Sequence, residues 1–101
     1  MKQHDDWWVV KDPTKKGTVA TIGFRNDRLK EWGQLLFLDL PNVGAFLDSG
    51  DFFVSIEATR EITFSAAPVG GQVIAINPLL NGWVDHQATG SEWLLKLLIQ
   101  D

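Results

Sequence analysis

The segment Glu57-Ala58-Thr59-Arg60-Glu61 sets a guanidinium among carboxylates between two apolar runs, Phe52 to Ile56 and Ile62 to Ala67. A guanidinium stays protonated and its nitrogen lone pairs are delocalised, so Arg60 can bind an acidic group but cannot attack an acyl carbon. Taken alone, Arg60 reads as a solvated turn cation and Glu57 and Glu61 as solvated turn acids. The functional reading is an arginine that meets a partner's acidic pocket. His4 with Asp5 and Asp6, and Asp85 with His86, are metal-ligand types, but they lie in distant polar segments and read as surface residues. No metal is expected. Ser49, Ser55, Ser65 and Ser91 lack a glycine elbow and a histidine partner, and the chain has no cysteine, so neither a hydroxyl nor a thiolate nucleophile is expected. The residues predict no catalytic apparatus.

The elements that must position the Glu57–Glu61 tip follow from composition and pattern. A chain of 101 residues that is 45% hydrophobic, with five Trp and six Phe, is expected to form a single domain over residues 1–101. Absence of cysteine fits a cytoplasmic or organelle-matrix setting. A net charge of -4 argues against nucleic acid, whose affinity rests on clustered cations releasing counterions. The N-terminal MKQHDDWWVV has no long apolar region, so neither a secretory signal nor a membrane span is expected.

Trp7 to Lys11 reads as a strand ended by a longer loop, Asp12 to Gly17, and Thr18 to Phe24 as its returning partner. A short helix follows, capped by Asn26, with Leu29 and Trp32 on one apolar face and Gly33 as its stop. Gln34 to Leu40 is a strand closed by Pro41, and Ala45-Phe46-Leu47 is a brief apolar piece between turns. The two runs flanking Glu57–Glu61 and a third, Val73 to Ile76, are β-branched and aromatic, and so read as strands. The first turn is expected to lift Arg60 into solvent. Asn77-Pro78-Leu79-Leu80-Asn81-Gly82 reads as one helical turn with Asn77 as cap, Trp83 to Ser91 as polar loop, and Glu92 to Ile99 as the last strand. Trp8 and Trp83 are the tryptophans least expected to be buried. The fold class is all-β, a small barrel or sandwich with one or two short helices.

Several stretches resemble the H protein family of the glycine cleavage system, part of the biotinyl/lipoyl-attachment superfamily. Gly17 to Gly23 (GTVATIG) is similar to the family's Gly-Thr-Val-Thr-Val-Gly. The run from Gly33 to Gly44 (GQLLFLDLPNVG) is similar to Gly-Asp-Leu-Val-Phe-Val-Glu-Leu-Pro-x-Val-Gly. Ala67-Pro68-Val69-Gly70-Gly71 answers to Ala-Pro-Val-Ser-Gly, and Glu92 to Lys96 to the closing Gly-Trp-Leu-Phe-Lys. The resemblance implies a barrel-sandwich hybrid of the lipoyl, or hammerhead, type with a displayed β-hairpin. It also implies a non-enzymatic carrier that shuttles between the proteins of glycine cleavage.

One position departs. Where the family hairpin reads Glu-Ser-Val-Lys and joins lipoate to the lysine, this chain reads Glu57-Ala58-Thr59-Arg60. The resemblance therefore implies a homologue without a lipoyl arm and without a cofactor, since lipoate is expected only on a lysine there. What remains is protein binding through Glu57, Thr59, Arg60 and Glu61, with glycine cleavage or lipoate-metabolism proteins as partners. The alternative is a working lipoyl carrier whose lysine has been replaced here or lies elsewhere, at Lys11, Lys15, Lys16, Lys30 or Lys96, none of which is expected at a symmetric hairpin tip. The segment Asn81 to Thr89 departs too, being shorter than the family's and lacking its proline.

Overall fold

The structure is a computed structural model and describes residues 6–99. The strands are β1 (Trp7–Thr14), β2 (Gly17–Phe24), β3 (Leu35–Asp39), β4 (Phe46–Leu47), β5 (Phe52–Ala58), β6 (Ile62–Ala66), β7 (Gly71–Ile76), β8 (Gly82–Trp83) and β9 (Leu95–Leu98). Helix α1 spans Asn26–Trp32, and a 3₁₀ turn spans Pro78–Leu80.

The strands form two antiparallel sheets, β1-β2-β9-β7-β4 and β6-β5-β3-β8. Strand β9 lies between β2 and β7, so its Leu95 and Leu97 are fully buried. The second sheet buries one face only, through Leu35, Leu38, Val54 and Ile56. Alternation along β3 and β5 sends Phe37, Asp39, Ser55 and Glu57 to the other face, while the bulges at Leu35/Phe37 and Phe52/Val54 break the period and leave Phe53 buried as well. Burying each Leu or Ile contributes roughly 1.5–3 kcal/mol before conformational entropy is counted.

Trp7 stands where the sheets meet. Its ring stacks on Phe24 at 4.6 Å and lies 5.3 Å from Phe53, while Phe24 meets Trp32 of α1 edge-on at 5.4 Å. The Trp7 indole N–H donates to the Ala66 carbonyl at 2.8 Å, tying the first strand to β6 of the other sheet.

Two local expectations are corrected. Asp12, Pro13 and Thr14 continue β1 rather than forming a loop, and only Lys15 and Lys16 turn the chain, with Thr14 paired to Gly17. Pro13 is tolerated because β1 is an edge strand, where a missing N–H costs no ladder bond. Asn26 is the first helical residue and not the cap; Arg25 holds that place in extended conformation without a side-chain bond. Asn77 does cap the 3₁₀ turn, its side chain accepting from the Leu79 N–H at 3.1 Å. Its amide also donates to the Trp93 carbonyl at 2.7 Å, which is why this polar residue is buried.

Candidate functional site

Strands β5 and β6 form a hairpin, with Glu57 paired to Ile62 and the Ala58 N–H donating to the Glu61 carbonyl at 2.8 Å. Arg60 is exposed, as the sequence leads one to expect, but the tip is also held against neighbouring backbone. Thr59 N–H donates to the Gln34 carbonyl at 2.9 Å, and Gln34 N–H returns a bond to Thr59 Oγ1 at 3.0 Å. Arg60 N–H donates to the Trp32 carbonyl at 2.8 Å, its Nε to the Glu31 carbonyl at 3.2 Å, and Nη2 to the Lys30 carbonyl.

These carbonyls belong to the last turn of α1, which has no partner inside the helix and carries the negative end of its dipole. Arg60 thus closes the helix C-terminus while remaining exposed. The fit needs Gly33 between them. Gly33 has φ +89, and a Cβ there would lie 2.1 Å from Thr59 Oγ1. Glu57 and Glu61 are exposed and face water. A shallow groove of about 650 Å³ runs beside the tip, lined by Leu29, Gly33, Thr59, Arg60 and Ala88 among others.

Other candidates fall elsewhere. His4 and Asp5 lie outside the described residues. Asp6 receives Arg28 Nε at 3.1 Å and the Ser65 hydroxyl at 2.5 Å, an arrangement that joins the chain start to α1 and β6. His86 Nδ1 lies 3.8 Å from Asp85 Oδ1. The Trp8 indole donates to the Gly90 carbonyl at 2.8 Å, so Trp8 is half-buried, whereas Trp83 is exposed. Glu92 accepts from the N–H groups of Thr89 and Gly90, each at 3.1 Å. Burial would raise its carboxyl pKa, but those bonds, its own N–H and the Thr89 hydroxyl favour the carboxylate and hold it below the ordinary value.

The expectation that no lysine stands at a hairpin tip is corrected. Lys15 and Lys16 occupy a two-residue hairpin tip between β1 and β2, both exposed. The signal lies in Lys-Lys-Gly, but the whole of Asp12 to Gly17 reads as a loop in sequence, whereas the strand runs on to Thr14.

Two sheets of antiparallel strands, packed on one core and open at their edges, with a short helix at one side, define a barrel-sandwich hybrid. Comparisons with known proteins give the same class. The crystal structure of a glycine cleavage system H protein from Mycobacterium marinum superposes with a TM-score of 0.72 at 20% identity, covering 98% of this chain and 86% of that one. The model of the family described as Glycine cleavage H-protein matches residues 1–101. The glycine cleavage system H protein of Bartonella quintana is 32% identical over 102 residues, covering 98% of this chain and 80% of that protein. That of Beutenbergia cavernae is 34% identical over 95 residues, covering 91% and 73%. The chain belongs to the glycine cleavage H-protein family. The H protein of that system is a carrier that works with the other glycine cleavage proteins and is not itself an enzyme. Among the described residues, no helix is long and apolar enough to cross a membrane.

Proposed function

We propose that this chain is an H-protein-like module, one domain over residues 1–101, that carries no lipoyl group at position 60 and acts by docking. The observation that carries this reading is the side chain at the hairpin tip. Acyl transfer to a lysine needs a neutral amine with an available lone pair, and the guanidinium of Arg60 has none to give. Its bonds to Lys30 and Glu31 supply a different reason for an arginine there, since one planar fork reaches two carbonyls. The exposed Glu57 and Glu61, with Thr59 and Arg60, are the partner-binding residues of this reading. Partners are proteins of glycine cleavage or lipoate metabolism, neither nucleic acid nor membrane, in the cytoplasm or an organelle matrix.

The test is the intact mass of the full chain after co-expression with a lipoate ligase in medium containing lipoate. The expected mass is that of the unmodified chain, and Arg60→Lys is expected to gain one lipoyl group. A lipoyl group on the unaltered chain would defeat the reading.

A second reading is favoured by the Lys15–Lys16 tip: a working lipoyl carrier whose amine has moved to the β1–β2 hairpin. Peptide mapping of any modified chain separates the two. Lipoate on Lys15 or Lys16 supports the moved site.

A further inference from the structure

The outer face of the β6-β5-β3-β8 sheet combines large exposed apolar side chains with carboxylates. Strand pairing sets Ile62, Glu57, Phe37 and Trp83 in one row across all four strands, and Phe64, Ser55 and Asp39 in the next. Ile62 is 76% exposed, Phe64 64% and Trp83 76%, and Trp83 leans edge-on against Phe37 at 4.9 Å. Phe52, 75% exposed, extends the patch beside Phe64 and Thr63. Scattered exposed hydrophobics need no explanation, but a contiguous set on one sheet face marks an interaction surface.

Charge decides what covers it. None of the four strands contains a lysine or an arginine, whereas Asp39 and Glu57 stand exposed within the rows. Between Trp32 and Leu95 the one cation is Arg60, and its guanidinium is turned onto α1. The remaining described cations lie on β1, α1, the segments flanking them, or β9. A second copy of this acidic chain would bring like charges together, and nucleic acid has the wrong sign.

We propose that this face docks a cationic segment of a partner protein, in which arginine or lysine is interleaved with aliphatic side chains. The cations meet Glu57 and Asp39 and the ring of Trp83, and the aliphatic groups cover Ile62, Phe64 and Phe37. The proposal shares with the docking reading above the existence of a protein partner and the use of Glu57, but it needs neither Arg60 nor Thr59. It holds whether or not an amine of the chain is lipoylated.

The test titrates the full chain with a synthetic peptide of interleaved arginine and leucine, followed by backbone amide chemical shifts. Saturable shifts confined to Ile62, Phe64, Glu57, Phe37, Asp39 and Trp83 are expected. Binding is expected to weaken by about tenfold in the double variant Asp39→Lys, Glu57→Lys, whose charges face the peptide. The double variant Ile62→Thr, Phe64→Thr, which puts a strand-favouring β-branched residue at each position, is expected to lose as much. The double variant Asp12→Lys, Asp27→Lys makes the same change in net charge away from the face and is expected to bind within about twofold of the parent, as a distant charge is screened. The amide spectrum of each free variant reports its folding. The proposal is overturned by absence of binding, by shifts spread over β1 and β2, or by equal weakening from the two charge-reversed pairs. Dimerisation of the free chain through this face, seen by sedimentation, overturns it as well. Lipoylation is not read in this experiment, so its failure leaves the mass measurement above standing, and the converse holds.

Discussion

Arg60 Nε donates to the backbone carbonyl of Glu31 at 3.2 Å, across a sequence separation of 29 residues. One side chain therefore fastens the β5–β6 hairpin to the end of α1, a helix of 7 residues that is too short to hold itself. Replacing Arg60 with Ala removes the donors from two terminal carbonyls. Because the site is exposed, water recovers part of the loss, and the expected cost is about 0.5–1.5 kcal/mol. Thermal unfolding checks it, with a fall in midpoint of roughly 2–12 °C expected for a domain of this size. Arg60→Lys is expected to lose less than Ala, since an ammonium can still serve one carbonyl but cannot fork to two.

Gly33→Ala tests the same junction from the other side. The substitution meets both a left-handed φ of +89 and a Cβ contact of 2.1 Å with Thr59 Oγ1. Gly44→Ala meets a positive φ of +100 but nothing within 4 Å. The expected costs are about 2–4 kcal/mol at Gly33 and about 1–2 at Gly44, the difference being the steric part. Urea denaturation gives both, and amide exchange at Thr59 and Arg60 is expected to quicken only in the Gly33 variant.

The strands were legible because their patterning is local. Val54 and Ile56 alternate with Ser55 and Glu57, and Pro41, Gly33 and Asn77-Pro78 punctuate the chain where turns and caps demand them. The β1–β2 turn was misread because Pro13 signals a loop unless the strand lies at a sheet edge, and edge position is a property of the whole sheet. Likewise, the outline of the candidate site was legible, but the contact of its tip was not. Gln34 and Thr59 meet only after the hairpin has closed against the helix, so no window of sequence contains the relationship. Gly33 reads in sequence as a helix stop, which it is, while its second role as the gap that admits Thr59 depends on that long-range approach.

Glu92 predicts an acid-dependent loss of stability. Its folded pKa is lowered, since the bonds from its own N–H, Thr89 and Gly90 outweigh the opposing effect of burial. A lowered carboxyl pKa contributes stability that is fully present above the unfolded-state value, about 4.3, and is lost as pH falls through the folded value. Glu92→Gln keeps a side-chain acceptor but removes the charge. It is expected to be less stable than the parent at neutral pH by about 0.5–1 kcal/mol, the scale of a partly exposed charge-assisted bond. The gap is expected to close in acid. Urea midpoints across the acid range check the sign, and a gap that widens below the ordinary glutamate pKa contradicts it.

Trp7 and Trp83 present the same side chain in opposite settings, which makes them a matched pair. Trp7 is buried, stacks on Phe24 and donates to Ala66 in the opposite sheet. Trp7→Phe removes that N–H, leaves a partly buried carbonyl short of a donor and opens a void the size of half an indole. About 1–3 kcal/mol is expected to be lost. Trp83 is exposed on the outer face and touches chiefly Phe37, so Trp83→Phe is expected to change stability by less than about 0.5 kcal/mol. Equilibrium unfolding of the two variants measures the contrast. If both cost the same, the inter-sheet bond of Trp7 contributes little and the sheets are held by their leucines alone.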